Sequence, residues 1–226
     1  MSLELLDNIP WRSLNGAHAR FSAGSDTARR YGPGFAPILG FRDPSRADWD
    51  ALAAHCETDE HFYSSGESSA PPEGWTVEID ARLMQMVWSG PEPAANDATE
   101  IVALGPEHVP QMIELIALTR PGPFGPRTPE LGEYIGVIES GRLIAMAGER
   151  MTAGTLVEIS GVCTHPDDQG RGLALLLMQT LLRSELRRGA WPFLHVMTDN
   201  HRARAIYERL GFKPHQELPL RVVSRG

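Results

Sequence analysis

Lysine is almost missing from this chain: Lys213 is the one lysine among 21 basic Lys and Arg residues, set against 29 acidic ones, for a net charge of −8. A field of that sign repels phosphate backbones and anionic lipid, which argues against nucleic acid or membrane surfaces as partners. Cysteine is scarce as well. The two present, Cys56 and Cys163, cannot build a disulfide framework, and nothing reads as a secretory leader or as an apolar run able to span a bilayer. A reducing cytoplasm is the expected compartment. His55, Cys56, Asp59 and His61 cluster in the sequence but match no zinc spacing. They read as a polar loop, and no metal is expected.

What is present is concentrated near the C-terminal third. Gln169-Gly170-Arg171-Gly172-Leu173-Ala174 lies between a strand-like run, Val157 to Thr164, and a leucine-rich helical pattern that begins at about Leu173. A strand feeding a glycine turn and then a helix aims unpaired backbone N–H groups and the positive end of the helix dipole at one spot, as a pyrophosphate requires. The glycines keep side chains clear of phosphate oxygens. A Walker loop would need a lysine in the turn, and a dinucleotide fingerprint would need its third glycine where Leu175 stands. The pattern left is Q-x-x-G-x-A.

This hexapeptide resembles the acyl-CoA pyrophosphate loop, Q/R-x-x-G-x-G/A, of the GNAT superfamily of N-acetyltransferases. Its neighbours strengthen the likeness. Pro192 to Met197 follows as a strand, then Thr198-Asp199-Asn200, then a short amphipathic helix closing on Tyr207-Glu208-Arg209-Leu210-Gly211-Phe212. A strand, an asparagine and A-x-x-x-Y-x-x-x-G-F follow the loop in that superfamily in the same order. The resemblance covers roughly residues 100–226. It implies a mixed, mostly antiparallel α/β sheet flanked by helices, acetyl-CoA as acyl donor, and transfer of acetyl or another short acyl group to a primary amine on a small molecule or a peptide. The rival reading is an acyl-CoA-binding sensor that no longer catalyses; the presence of Glu158, Asn200 and Tyr207 argues against it. A homodimer is left open.

Length and linkers divide the chain in two. Residues 1–95 read as a smaller α/β region with a helix from Pro44 to Cys56, a loop over Ser64 to Gly74, and one or two strands over Trp75 to Trp88. Pro91 to Thr99 is polar and proline-containing, the best linker. Residues 100–226 would be the GNAT domain. Its pattern predicts a strand over Glu100 to Leu104, a helix over Pro106 to Ala117, and strands Tyr134 to Glu139, Arg142 to Met151 and Leu156 to Thr164, the first pair joined at Ser140-Gly141. Two further helices have stripes Leu173, Leu176, Leu177, Leu181 and Ala203, Ile206, Tyr207, Leu210. Members of the superfamily related to glycine N-acyltransferases often carry a degenerate N-terminal half that imitates the catalytic fold, and a resemblance to that branch implies that residues 1–95 are such a half.

Roles follow from the same likeness. Backbone groups of Val162, Cys163 and Thr164 would pair with the pantetheine arm, and the amides of Gln169, Gly170, Arg171, Gly172, Leu173, Ala174 and Leu175 would hold the pyrophosphate, with Arg171 and one of Arg202 or Arg204 adding positive charge. Asn200 matches the asparagine that bonds the cofactor, or caps the last helix. Tyr207 stands where these enzymes carry the general acid for the departing thiolate, or packs in the core. Two bases compete. Glu158 lies eleven residues before Gln169, the spacing of the strand-borne glutamate in the histone-modifying branch, and burial in an apolar strand would raise its pKa toward a useful range. His195 stands where the ribosomal-protein branch keeps a glutamate, and an imidazole could replace it. The Pro/Gly-rich loop from Thr119 to Thr128 offers Arg120, Phe124 and Arg127 to the acceptor.

Overall fold

The structure is a computed structural model that describes residues 3–67, 70–94 and 99–226. It opens with a 3-10 segment, Leu3–Asn8, and a one-and-a-half-turn helix α1 (Ile9–Leu14). A small antiparallel sheet follows, β1 (Ser22–Gly24), β2 (Ala28–Tyr31) and β3 (Leu39–Phe41), then α2 (Trp49–Ala53), β4 (His61–Ser65) and β5 (Trp75–Trp88). The remainder runs β6 (Val102–Ala103), α3 (Val109–Thr119), β7 (Tyr134–Glu139), β8 (Arg142–Ala153), β9 (Leu156–Thr164), α4 (Leu173–Arg187), β10 (Trp191–Met197), α5 (His201–Leu210) and β11 (Phe212–Arg225).

Eight of these strands form one sheet in the order β4-β11-β5-β10-β9-β8-β7-β6. Neighbours are antiparallel except β9 and β10, which are parallel and so need the crossover helix α4 between them. This is the mixed, mostly antiparallel α/β sheet flanked by helices that the motifs implied. Strand β5 lies between β11 and β10, so the main sheet draws a central strand from the first 95 residues. Of the linker Pro91 to Thr99, residues 95–98 lie outside the described residues, as do 68 and 69 of the loop over Ser64 to Gly74.

Period-two alternation explains the layers. Met86, Leu194 and Val196 face α4, whose Leu173, Leu177 and Leu181 are buried against them. Each such leucine contributes roughly 1.5–3 kcal/mol. Val87 and Phe193 face the other way, onto Leu6, Ile9, Leu14 and Tyr31 of the N-terminal region. Four local expectations shift. The helix from Pro44 breaks into a 3-10 turn and α2, because the Asp48 carboxylate accepts from Ala51 N at 3.1 Å and starts a new helix there. Residues Pro106–His108 are likewise 3-10, so α3 begins later and runs to Thr119. The strand over Glu100 to Leu104 shortens to the two residues of β6, and β4 takes Ser64 and Ser65 from the loop. At the β7–β8 turn Ser140 and Gly141 both have positive φ, 49° and 78°, as a two-residue hairpin of the right twist requires. Among the described residues no helix is long and apolar enough to cross a membrane.

Candidate active site

Strands β9 and β10 share a register only from Leu156 to Glu158 against Trp191 to Phe193. Beyond that they part. A register shift against β8 accompanies the positive φ of Gly161, 63°, and such a bulge bends the strand. The gap opens on a cavity of about 930 Å³ that takes in Val162, Cys163 and Thr164 at the end of β9, the glycine turn, and Tyr207 on α5.

Gly170 and Gly172 hold φ of 81° and 78°, and a Cβ built on either meets nothing within 4 Å. The turn is therefore open to a ligand and strained for any other residue. Gly172 caps α4 without a side chain, which leaves the first amides of a 15-residue helix unpaired at the cavity. Gln169, Leu173, Ala174 and Leu175 also line it. Arg171 does not. Its guanidinium is held by Asp168 at 2.7 Å and by Glu139 at 2.5 and 3.0 Å, so it can offer only its backbone amide. Arg204 donates to Thr198 O at 3.0 Å, and the arginines of α5 that reach the cavity are Arg202 and Arg209. Asn200 caps α5, its Oδ1 accepting from Ala203 N at 3.1 Å, while the residue also lines the cavity. Both of its expected roles therefore stay open to one side chain.

Tyr207 packs edge-on to Phe212 with ring centroids 6.2 Å apart, and its hydroxyl has no hydrogen-bond partner among the described residues. Burial pushes the phenol up to about 12, so it holds its proton at neutral pH. Cys163, also on the cavity, is pushed up to about 11 by burial and stays a thiol.

A row of polar side chains crosses five strands on the face away from α4. Arg150 of β8 grips Glu158 of β9 with Nε at 3.0 Å and Nη2 at 2.7 Å. Glu158 Oε1 meets His195 Nδ1 of β10 at 2.8 Å, His195 Nε2 meets Gln85 Nε2 of β5 at 3.0 Å, and Gln216 Nε2 of β11 donates to Gln85 Oε1 at 2.9 Å. The end of Gln85 that faces His195 is set from two sides, since the Leu6 carbonyl, an acceptor only, also lies 3.4 Å from Gln85 Nε2. His195 Nε2 must then accept, and Nδ1–H donates to Glu158. Glu158 is 0% exposed. Burial by itself would raise its carboxyl, but Arg150 and His195 outweigh that and hold it at about 2. That is the reverse of the shift expected from an apolar strand. Arg150, Gln85 and Gln216 carry no local spacing signal, and the sequence reading missed all three.

The acceptor loop divides. Arg120 lines the cavity and adopts a left-handed φ of 48°; its backbone N–H donates to Ile116 O at 2.8 Å, while its guanidinium has no ion-pair or hydrogen-bond partner among the described residues. Arg127 is away from it, paired with Glu130 at 2.8 Å and stacked 4.4 Å over the Phe35 ring. Phe124 packs edge-on to Tyr134, with centroids 5.7 Å apart, and does not line the cavity. Among the described residues no group of three or more His, Cys, Asp or Glu could hold a metal ion.

A family model described as FR47-like protein matches residues 134–219. The crystal structure of a GNAT-family protein from Novosphingobium aromaticivorans DSM 12444 superposes with a TM-score of 0.87, at 36% identity over 98% of both chains. The chain belongs to the GNAT family. A GCN5-related N-acetyltransferase from Kribbella flavida, 16% identical with a TM-score of 0.62, covers 97% of this chain and 96% of its own, and shares the fold. N-alpha-acetyltransferase RimI of Mycobacterium tuberculosis (strain ATCC 25618 / H37Rv) is 34% identical over 83 residues, 35% of this chain and 51% of that protein. The match thus spans about half of the curated relative.

Proposed function

We propose that this GNAT protein moves an acetyl, or another short acyl group, from CoA to a primary amine by direct attack. The observation that carries the reading is one shared cavity: an uncapped helix N-terminus behind two left-handed glycines, a strand edge freed by the parting of β9 and β10, and the Tyr207 ring all open on it. The turn amides would bind the pyrophosphate. The freed edge at Val162 to Thr164 would align the pantetheine arm and polarise the thioester carbonyl. The amine nitrogen then attacks the carbonyl carbon, the C–N bond forms, the C–S bond breaks, and Tyr207 gives its proton to the leaving thiolate.

Of the two base candidates we favour His195. Glu158 has both oxygens engaged and a pKa near 2, which suits a carboxylate that steadies an imidazolium better than one that takes a proton. His195 lines the cavity and keeps one lone pair, on Nε2, which must leave Gln85 to receive the amine proton. Arg120 is proposed to meet the acceptor at the mouth. In this reading residues 100–226 hold the CoA, while residues 1–95, whose one match to Q/R-x-x-G-x-G/A, Arg29 to Gly34, runs from β2 toward β3 and opens no helix, shape the acceptor side as a degenerate half of the glycine N-acyltransferase type. The RimI relative, named for N-alpha-acetylation, keeps a peptide amine among the acceptors. The free Cys56 and Cys163 fit a reducing cytoplasm.

The test is calorimetry with acetyl-CoA. Micromolar binding, equivalent to about −8 kcal/mol, is expected of the native chain. Gly172→Val forces a β-branched side chain into a left-handed position and fills the cradle, so binding should vanish. Equal affinity in the variant would remove the site.

A further inference from the structure

We infer that the acceptor is an amine on an apolar body with no second positive charge, and that this body lies on the face of β4, β11 and β5 beside the polar row, an assignment that rests on the acyl-transfer function proposed above. Alternation along β5 puts Ile79, Leu83 and Gln85 on one face. Register carries that face across the sheet. Ile79 pairs with Val222, which pairs with Tyr63 of β4, and Leu83 pairs with Met197. These five apolar-bodied residues all line the cavity. The next layer along β5 is Gln85 against His195. An apolar surface therefore leads directly to the proposed base.

The charges on this side point the same way. Asp168 is the one carboxylate lining the cavity among the described residues, and it sits at the glycine turn, taken up by Arg142 and Arg171. Arg120 and Arg150 line the acceptor side, and Glu158 is already spent on Arg150. A polyamine or aminoglycoside would bring several ammonium groups against two guanidiniums with no carboxylate to replace their lost water. An apolar body loses nothing by entering and would cover Ile79, which is 49% exposed.

Thiol release from acetyl-CoA, read with phenethylamine, leucine, glycine and spermidine, tests this. The apolar-bodied amines should exceed glycine about ten- to hundredfold in kcat/KM, with spermidine unused. Ile79→Asp, at a half-exposed position that tolerates the change, should lower kcat/KM for phenethylamine about tenfold and admit spermidine, leaving acetyl-CoA affinity as it was. Spermidine turned over as well as phenethylamine by the native chain, or an Ile79→Asp variant that alters neither, would overturn the assignment. So would a rate that climbs from acetyl- to hexanoyl-CoA and is flat across the amines, since the face would then hold the acyl chain. If acetyl-CoA binds but no amine releases thiol, the transfer reading fails by itself; calorimetry of phenethylamine against native and Ile79→Asp protein still tests the face, and heat absent from both would refute it.

Discussion

Glu158→Gln is the most informative single change in this molecule. It keeps shape and removes the one negative charge at the centre of a buried row, leaving Arg150, whose side chain is 10% exposed, without its two-pronged partner. Breaking a buried pair from one side costs about 3–5 kcal/mol. Linkage gives the same size independently. Arg150 and His195 hold the folded carboxyl at about 2, against burial, from an ordinary 4.5, and a difference of that width is worth about 3 kcal/mol. The sign is fixed by the direction: a depressed pKa stabilises the fold above pH 4.5, and that stability drains away as pH falls toward 2. Urea unfolding at pH 7 should therefore place Glu158→Gln about 3 kcal/mol or more below the native chain, and the gap should narrow from pH 4.5 downward. Turnover should fall too, because the imidazolium of His195 loses its carboxylate. A variant within 1 kcal/mol of native at pH 7, or a gap that does not change with acid, would refute the reasoning about the row.

His195→Gln should lower kcat/KM at neutral pH and recover in part at high pH as the amine loses its own proton, whereas a profile parallel to native would leave deprotonation to solvent. Tyr207→Phe keeps the ring, so the melting temperature should hardly move while turnover falls by about two to four powers of ten; unchanged turnover would make Tyr207 a packing residue. Glu185 is 0% exposed with both carboxyl oxygens unpartnered among the described residues, and burial, reinforced by Glu149, pushes it up to about 9. The folded chain keeps a proton there that the unfolded chain sheds above pH 4.5, so stability should fall by roughly 1 kcal/mol per pH unit between 4.5 and 9. In Glu185→Gln that slope should disappear from denaturation curves taken across the window.

Much of this was legible before any fold was known, and for one physical reason. The glycine turn, the Asn200 cap, the Gly211 stop with its φ of 106° and the Ser140-Gly141 hairpin each depend on a few consecutive residues, whose backbone preferences act locally. The leucine stripe of α4 and the alternation of β5 are likewise written in one segment at a fixed period. From these, with the likeness carried by Q-x-x-G-x-A and A-x-x-x-Y-x-x-x-G-F, the sheet class and the family came out correctly. Residues set by long-range register did not. Gln85 and His195 stand opposite one another 110 positions apart, and Gln216 joins them from a third strand; no spacing in the chain announces such a row. Arg171 looked like a phosphate ligand, yet two carboxylates, one of them 32 positions away, turn it aside. Glu158 looked like a base raised by burial, and a neighbour on the next strand reversed the shift. Local backbone chemistry determined where an anion could sit. Only tertiary structure decided which side chains face it and what charge they bear there, because burial and pairing depend on what other strands bring alongside.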